Sequence, residues 1–565
     1  MARTVGIGNQ NFEVVRREDC FYIDKTKFIQ EWWDRMDTVT LITRPRRFGK
    51  TLTMNMVESF FSVRYAGRDD LFQGLQIWDN KKFRKLQGTY PVISLTFANI
   101  KEPDYAGARR KICQMLSNLY SEYEFLSDSN VLGDRGKRFF ESVSEDMNDT
   151  TATMAIHQLS MLLSRYYGKK AIILLDEYDA PMQEAYVNSY WEEMVSFIRS
   201  MFNATFKTNP YLERAIMTGI TRVSKESVFS DLNNLEVITT TSKAYADCFG
   251  FTEPEVFAAL DEFKLSDKKQ EVKNWYDGFT FGGHTDIYNP WSIINYLDKK
   301  RLSAYWANSS SNRLVGKLVQ EGSKDLKIAF ESLLEGKTVT EEIDEQIVYD
   351  QLNDSDQAIW SLLLASGYLK VKSMKGYTSD FGEWEETYEL ELTNFEVRTM
   401  FRKMVRKWFA AASAGYNDFI KALLLGNIKA MNIYMNRIAL ATFSYFDAGK
   451  NPSAEEPERF YHGFVLGLMV ELTDRYILTS NRESGFGRYD VMLEPRRAED
   501  DGIILEFKVQ DIDEEKELYD TVKEALDQID RQRYETMLVE KGIPREKIRK
   551  YGFAFSGKTV LIGGR

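Results

Sequence analysis

Val39 to Met54 reads VTLITRPRRFGKTLTM, and the rest of the chain is organised around this stretch. VTLIT is a short, β-branched apolar run, the pattern of a strand buried on both faces. RPRRFGKT breaks the run, and LTMNMVESFF follows with helical spacing. The loop closes in Gly49-Lys50-Thr51, the second half of a phosphate-binding GxxxxGK[ST] loop. Gly49 lets backbone N–H groups turn inward onto phosphate. Lys50 would reach the β- and γ-phosphates, and Thr51 would offer its hydroxyl to Mg²⁺. The start of the following helix adds partial positive charge. Arg44, followed by Pro45, stands where the pattern opens with glycine. The expected nucleotide-binding segment is therefore Arg44, Pro45, Arg46, Arg47, Phe48, Gly49, Lys50, Thr51 and Leu52.

A lone GKT is common, so it needs a partner, and Ala171 to Ala180, AIILLDEYDA, supplies one. This second apolar strand ends in Asp176 and Glu177. An Asp at a strand tip can hold the Mg²⁺ shell, and the next Glu can orient or deprotonate an attacking water. YPVISLTF (Tyr90 to Phe97) reads as another buried strand. Tyr186 to Phe206 reads as one amphipathic helix, and RAIMTGI (Arg214 to Ile220) as a fourth strand with Thr218 at its tip and Arg222 just beyond. Thr218 can sense the γ-phosphate and Arg222 can stabilise the transferring phosphoryl group; a capped strand end with a surface arginine is an equal alternative. Strands separated by helices imply a parallel, helix-covered sheet with nucleotide at its carboxyl edge. Upstream, Asp24 and Thr26 in FYIDKTKFIQEWW read as a helix cap, with a base contact as the alternative.

Composition bounds the rest. The 565 residues suit roughly three domains. A formal net charge of -11 gives no global field toward nucleic acid or membrane, so any nucleic-acid contact must use a local patch or metal-bridged phosphates. Three distant cysteines (Cys20, Cys113, Cys248) argue against a disulfide framework and fit a reducing cytoplasm. With only His157, His284 and His462, a multi-histidine zinc site is not expected. No apolar run is long enough to span a bilayer, and the first residues lack an apolar signal core.

The order YIDKT, TRPRRFGKT, LLDEYDAP, MTGITRVS and CFGFTEPEV resembles the bacterial AAA-ATPase-like family, in the additional-strand branch of P-loop ATPases. The family loop is often RPRRFGKT, so the absent opening glycine fits it. The resemblance covers about the first half of the chain. It implies ATP and Mg²⁺ bound through Lys50, Thr51 and Asp176, with Glu177 as the catalytic carboxylate.

Residues 251–311 read as a lid-like helical region in which Trp275, Tyr288 and Trp291 favour core packing over base stacking. Residues 312–449 read as a mostly helical connector with a short β section near 367–392. DAGKNPSAEEP (Asp447 to Pro457) is a linker by composition. A compact α/β module follows. A helix runs from Glu458 to Leu472, GFGRYDVML and GIILEFKV are strands, Asp513 to Arg533 is a long helix, and Ile548 to Phe555 is a closing strand. Alternation in ILEFKV puts Glu506, Lys508 and Ile504 on one face and Leu505, Phe507 and Val509 on the other. Asp490, in a neighbouring strand, can come beside Glu506. Two carboxylates there can hold Mg²⁺ (or Mn²⁺), and Lys508 can hold the water or stabilise phosphorane charge. Glu458, at the end of an apolar helical stripe, is a third acidic ligand candidate.

This constellation resembles the PD-(D/E)XK nuclease superfamily, with Asp490 at the first Asp, Glu506 at D/E and Lys508 at K. Gln528 in ALDQIDRQRY matches a polar helix position of that class, and FAFSGK completes the pattern. The expected architecture is thus α/β: a P-loop ATPase with a parallel sheet over residues 1–250, a helical lid over 251–311, a connector over 312–449, and a restriction-endonuclease-like domain over 450–565. The expected function is Mg²⁺-dependent phosphodiester hydrolysis, in DNA rather than RNA, licensed or positioned by ATP. One alternative is a regulatory NTPase switch whose nuclease-like module binds nucleic acid or protein without cutting. Another is a scaffold with both sites degenerate. A homo-oligomer in the ATP-bound state is also expected, with Arg44, Arg46, Arg47 or Arg222 completing a neighbour's site; a monomer using Arg222 in cis is equally open. No membrane partner is expected.

Overall fold

A computed structural model describes residues 3–565 except 128, 130–131, 222–227, 230–231, 308–312, 322–323, 346–351, 353–354, 379–383, 411–415, 444–468, 470–471, 473–474, 485–486, 512–514 and 557–558. The chain divides into two compact units, Met1–Met400 and Phe401–Arg565.

In the first unit the apolar runs become β1 (Val39–Thr43), β2 (Val92–Thr96), β3 (Ala171–Asp176), β4 (Leu212–Gly219) and β5 (Leu235–Ile238). They form one parallel sheet in the order β2-β3-β4-β1-β5. Every residue of β1 and β3 is buried, as uninterrupted apolar runs require in a sheet covered on both faces. Ile42, Val57, Phe60, Phe61, Ile172, Leu174 and Ile216 share one core with Trp32. Each such buried side chain contributes about 1.5–3 kcal/mol. β4 is inserted between the loop strand and the acid-bearing strand, with Thr218 opposite Ile42 and Met217 opposite Leu175. Parallel order brings Thr43, Asp176 and Gly219 out at the same sheet edge.

Two local expectations need correction. Tyr186 to Phe206 is not one helix. Ala180–Val187 ends at Asn188, Ser189 turns left-handed at φ 64°, and Trp191–Phe202 begins anew. The region after Phe251 is helical in Glu253–Glu262, Lys269–Tyr276 and Pro290–Lys299. It also carries an antiparallel sheet of β6 (Phe251–Thr252), β7 (Asp277–Phe281) and β8 (His284–Tyr288), ordered β6-β8-β7. Its hairpin turns at Gly282 and Gly283, whose φ of 55° and 84° is the paired left-handed geometry of a two-residue hairpin loop. In a third sheet, β9 (Val339–Glu341) is an added strand outside the expected β section, which β10 (Leu369–Thr378) and β11 (Trp384–Leu392) match, and the order is β10-β11-β9.

The second unit is built on β12 (Tyr476–Ser484), β13 (Gly487–Pro495), β14 (Gly502–Val509), β15 (Ile548–Ser556) and β16 (Thr559–Gly564), in sequential order. Only β14 and β15 are parallel in this ladder, and the helix Leu518–Arg531 lies between them in sequence. That helix starts later than expected, at a capping box in which Asp520 accepts from the Glu517 N–H at 3.1 Å. The alternation in β14 is as expected. Ile503, Leu505 and Phe507 pack with Phe419, Met431 and Tyr434 on one side, while Ile504 packs with Met492, Val522 and Ile529 on the other. Along the free side of β16, Asn432 and Asn436 of the helix Ile428–Phe443 bind backbone. Asn432 exchanges two hydrogen bonds with the Ile562 main chain (both 2.8 Å), and Asn436 does the same with Val560 (2.6 and 2.9 Å). Glu458 and the expected linker Asp447 to Pro457 lie outside the described residues.

Candidate active sites

The phosphate loop runs from the end of β1 into the helix Lys50–Phe61. Gly49, at φ 82°, makes the left-handed step that starts this helix. Lys50 is buried, and its ammonium donates to the carbonyls of Arg44 (2.8 Å) and Pro45 (2.9 Å). Burial lowers its pKa. The Thr51 hydroxyl donates to Asp176 Oδ2 at 2.6 Å, and the Thr218 hydroxyl hydrogen-bonds the other carboxylate oxygen. Asp176 thus draws together the loop, its own strand tip and the inserted strand. Glu177 is next to it with φ 50°, its N–H donating to Asp176 Oδ1 at 3.1 Å. Burial, then the Asp176 charge, raises the Glu177 pKa, as suits a proton acceptor beside a buried acid.

The remaining loop residues divide by surroundings. Arg44 is fully buried: its guanidinium donates to the Thr43 (2.9 Å) and Thr239 (2.7 Å) carbonyls and lies 4.4 Å from the Phe281 ring centre. Burial brings its pKa down to about 10. As a candidate to complete a neighbour's site, Arg44 is disfavoured by this geometry, because its guanidinium has no exposed surface. Phe48 packs edge-on against Phe279 and Phe281, Pro45 is buried, and Leu52 joins the core. Arg46 and Arg47 are exposed; Arg46 donates to Gln183 Oε1 at 3.4 Å, and Arg47 stacks 4.3 Å from the Trp291 ring centre. Arg222 lies outside the described residues.

The expected helix cap is not made: the helix Lys27–Arg35 has Thr26 at its N-cap without a side-chain cap hydrogen bond, and Asp24 instead ties down the chain before it, accepting from the Thr26 N–H (2.8 Å) and hydroxyl (2.7 Å) and from the Gln76 N–H (2.7 Å). Tyr288 is a core residue and Trp275 packs on Phe395, as expected of them. The sequence reading missed Asp179. This buried acid accepts from Ile220 N–H (2.9 Å), Thr221 N–H (3.1 Å) and the Thr221 hydroxyl (3.2 Å), and so fixes the turn after β4. The available signal was the third acid of DEYD.

In the second unit, β13 and β14 pair with Val491 opposite Leu505. One step along this antiparallel register sets Asp490 across from Glu506. Asp490 shares strand parity with Met492, and Glu506 and Lys508 share it with Ile504. All three therefore belong to the face covered by the helix Leu518–Arg531. Asp490 Oδ2 accepts from the Phe507 N–H at 2.8 Å, which fixes this acid to the neighbouring strand. Glu506 is buried at 3% exposure, and Gln528 from the covering helix donates to its Oε1. Gln528 also donates to the Tyr534 hydroxyl at 3.2 Å. Burial raises the pKa of Tyr534, and the Glu506 and Asp490 charges raise it further. Lys508 is half-buried on the same face. Each acid thus has one oxygen oriented by a hydrogen bond, the usual way a fold aims a carboxylate. Oxygen donors alone, as at Thr51–Asp176 and at Asp490–Glu506, fit a hard cation such as Mg²⁺.

Among the described residues, no helix is long and apolar enough to cross a membrane. Comparison with known proteins adds the following. Residues 6–229 match the family described as Predicted AAA-ATPase, and residues 456–564 match the PD-(D/E)XK nuclease superfamily. A relative from Azotobacter chroococcum mcd 1, described as an uncharacterized protein in the vnfD 5' region, is 25% identical over 394 residues, or 69% of this chain and 68% of that protein. A solved Drosophila assembly, ORC bound to AT-rich DNA and Cdc6, aligns over 69% of this chain and 93% of its own at 8% identity. Its TM-score of 0.17 carries no argument. With its inserted strand between loop and acid, and its acid pair facing a glutamine helix, the chain carries a predicted AAA-ATPase-like domain over residues 6–229 and a PD-(D/E)XK nuclease superfamily domain over residues 456–564.

Proposed function

We propose that the first unit binds and hydrolyses ATP with Mg²⁺, and that the second unit hydrolyses phosphodiester bonds in DNA, licensed by the nucleotide. What carries the reading is that each unit gathers an acid pair and a lysine around one strand end: Asp176, Glu177 and Lys50 in one, Asp490, Glu506 and Lys508 in the other. In the first site Lys50 would leave the Arg44 and Pro45 carbonyls for the β- and γ-phosphates, Thr51 and Asp176 would hold the cation, and Glu177 would take a proton from the attacking water. Thr218 is the residue set to report on the γ-phosphate through its bond to Asp176. Arg222 retains the role of charge stabiliser. In the second site Asp490 and Glu506 would hold the cation, with Glu458 as a third ligand, and Lys508 would orient water or stabilise the phosphorane. A bound Mg²⁺ or Mn²⁺ supplies an acidified water and takes up charge on the phosphoryl oxygens. Exposure of Arg46 and Arg47 at the loop supports them as the arginines that would complete a second copy's site in an ATP-bound dimer, with a monomer using Arg222 in cis as the alternative.

A second reading, the regulatory NTPase switch whose nuclease-like module binds without cutting, draws on Arg44 in the opening glycine position. One experiment separates the two. Wild type, Lys50→Ala, Asp490→Ala, Glu506→Ala, Lys508→Ala and Glu458→Ala are incubated with Mg²⁺ or Mn²⁺ and single-stranded DNA, double-stranded DNA or RNA, with and without ATP. Cutting by wild type that is lost by orders of magnitude in Asp490→Ala and Glu506→Ala supports the nuclease. Absence of cutting on every substrate, with ATP binding intact, leaves the switch.

A further inference from the structure

The tip of the phosphate loop is fastened from outside by a segment that none of its own motifs include. The Arg46 carbonyl accepts two hydrogen bonds, from Trp306 Nε1 at 2.9 Å and from Asn289 Nδ2 at 3.3 Å. Trp306 is buried at 4% exposure, its ring set edge-on 5.4 Å from Phe279 and tilted 5.6 Å from Tyr368. Its backbone N–H in turn donates to Glu396 Oε1 at 2.6 Å, and the Ala307 N–H donates to the same oxygen at 3.2 Å. Glu396 is fully buried, and its other oxygen accepts from the Ser292 hydroxyl at 2.8 Å. Asn289 serves twice: its Oδ1 caps the helix Pro290–Lys299 through the Trp291 and Ser292 N–H groups while its amide reaches the loop.

The consequence follows from peptide geometry. A trans peptide points its C=O and N–H in opposite directions, and the described backbone has no cis bonds. Tying the Arg46 carbonyl to Trp306 and Asn289 therefore aims the Arg47 N–H away from that segment. Arg47 adopts φ 66°, the left-handed conformation in which successive N–H groups converge to form an anion nest, and Gly49 repeats it at 82°. A non-glycine residue holds that conformation only where its surroundings over-determine it. The two donors on the preceding carbonyl supply that constraint.

We propose that Trp306 and Asn289 are positioning residues for the phosphate nest, that Glu396 holds Trp306 in register, and that this clamp sets the affinity for the β- and γ-phosphates of a nucleoside triphosphate. The proposal rests on the ATP reading above. The clamp explains how a loop that opens on Arg44 rather than glycine keeps a nest shape: an outside tryptophan and asparagine hold what glycine freedom otherwise permits.

Two variants of the full chain test it, each against ATP analogue and AMP by calorimetry. Trp306→Phe keeps the ring and removes the donor. Asn289→Ser keeps a helix cap and is too short to reach Arg46. Each should weaken ATP-analogue binding about tenfold, the loss of roughly one hydrogen bond that fixes a charged-ligand contact, and leave AMP affinity unchanged. Glu396→Gln, which keeps an acceptor oxygen, should give a smaller loss with the same selectivity. ATP-analogue affinities of Trp306→Phe and Asn289→Ser equal to wild type would overturn the clamp, and so would equal losses for ATP analogue and AMP, which mean a general disturbance. Lys50→Ala is run beside them. Binding lost there but kept in the clamp variants refutes the clamp alone, whereas binding kept in Lys50→Ala refutes the ATP site itself.

Discussion

Replacing Glu396 by glutamine should change how the stability of the first unit depends on pH, and the size of the change can be worked out. Glu396 is an acid with no exposed surface and, among the described residues, no cation paired with it. Burial outweighs the three hydrogen bonds it accepts and raises its pKa from 4.5 to about 7. Below pH 4.5 the group is protonated in both folded and unfolded chains, and above pH 7 it is ionised in both. Between these values the folded chain keeps a proton that the unfolded chain has released, so folding stability falls as pH rises through this window. At about 1.4 kcal/mol per pH unit, the whole loss is about 3 kcal/mol. Glutamine does not titrate. The stability of Glu396→Gln minus that of wild type should therefore rise by about 3 kcal/mol from pH 4.5 to pH 7.5. For a unit of this size that is about 4 °C in Tm. Asp277, whose pKa is also raised to about 7 by burial and by Asp286, titrates in both proteins and cancels in the difference. Thermal scans of both proteins from pH 4.5 to pH 8, following the transition of the first unit, make the measurement. A difference that stays flat across this range would refute the claim that an ionisable, uncompensated carboxyl is buried here. A difference that falls with pH would mean that the charged form is the one the fold favours.

Other outcomes are specific to single residues. Arg44→Met should lower the Tm of the first unit, because two carbonyls lose a buried donor, and should leave any ATP-dependent oligomer unchanged in light scattering. Glu177→Gln should keep ATP affinity in calorimetry and slow single-turnover hydrolysis by at least about a hundredfold, since only proton acceptance is removed. Gln528→Leu should weaken Mn²⁺ binding to the full chain by about 10- to 100-fold, because the Glu506 carboxylate loses the donor that aims it, and unchanged metal affinity would show that Glu506 is held by its strand alone.

The reading of the sequence reached the places where local pattern and tertiary position agree. VTLIT and AIILLD are uninterrupted apolar runs because their strands are covered on both faces, and the two strand-tip motifs Gly-Lys-Thr and Asp-Glu in one chain are more specific together than either alone. ILEFKV alternates because its two faces meet different helices, so the side of Glu506 and Lys508 could be read before any contact was known. What escaped lies at edges or depends on long range. β5 is four residues at the margin of its sheet and carries a short, half-exposed pattern. β12 is likewise an edge strand, and its polar run YILTSNRES offers no apolar periodicity. The burial of Arg44 depends on Thr239 and Phe281, and the clamp on Arg46 depends on Trp306 and Glu396, separations at which spacing carries no information. The break at Asn188-Ser189 inside an apparently continuous amphipathic stretch follows from one left-handed residue, which helical periodicity cannot register.

The paired asparagines on the helix Ile428–Phe443 have a consequence for where the second unit begins. An outer strand with unpaired N–H and C=O groups is a template for another chain. On β16 those groups are answered by Asn432 and Asn436, two amides one helical turn apart that imitate the next strand. The helix that seals this edge lies upstream of residue 456, where the match to the nuclease superfamily starts. A fragment cut at that boundary would keep Asp490, Glu506 and Lys508 yet present a bare strand to solvent, together with the apolar surface that Phe419, Met431 and Tyr434 cover. Such a fragment should self-associate, and its inactivity would say nothing about the chemistry of the intact chain. The smallest piece worth isolating starts before Tyr416.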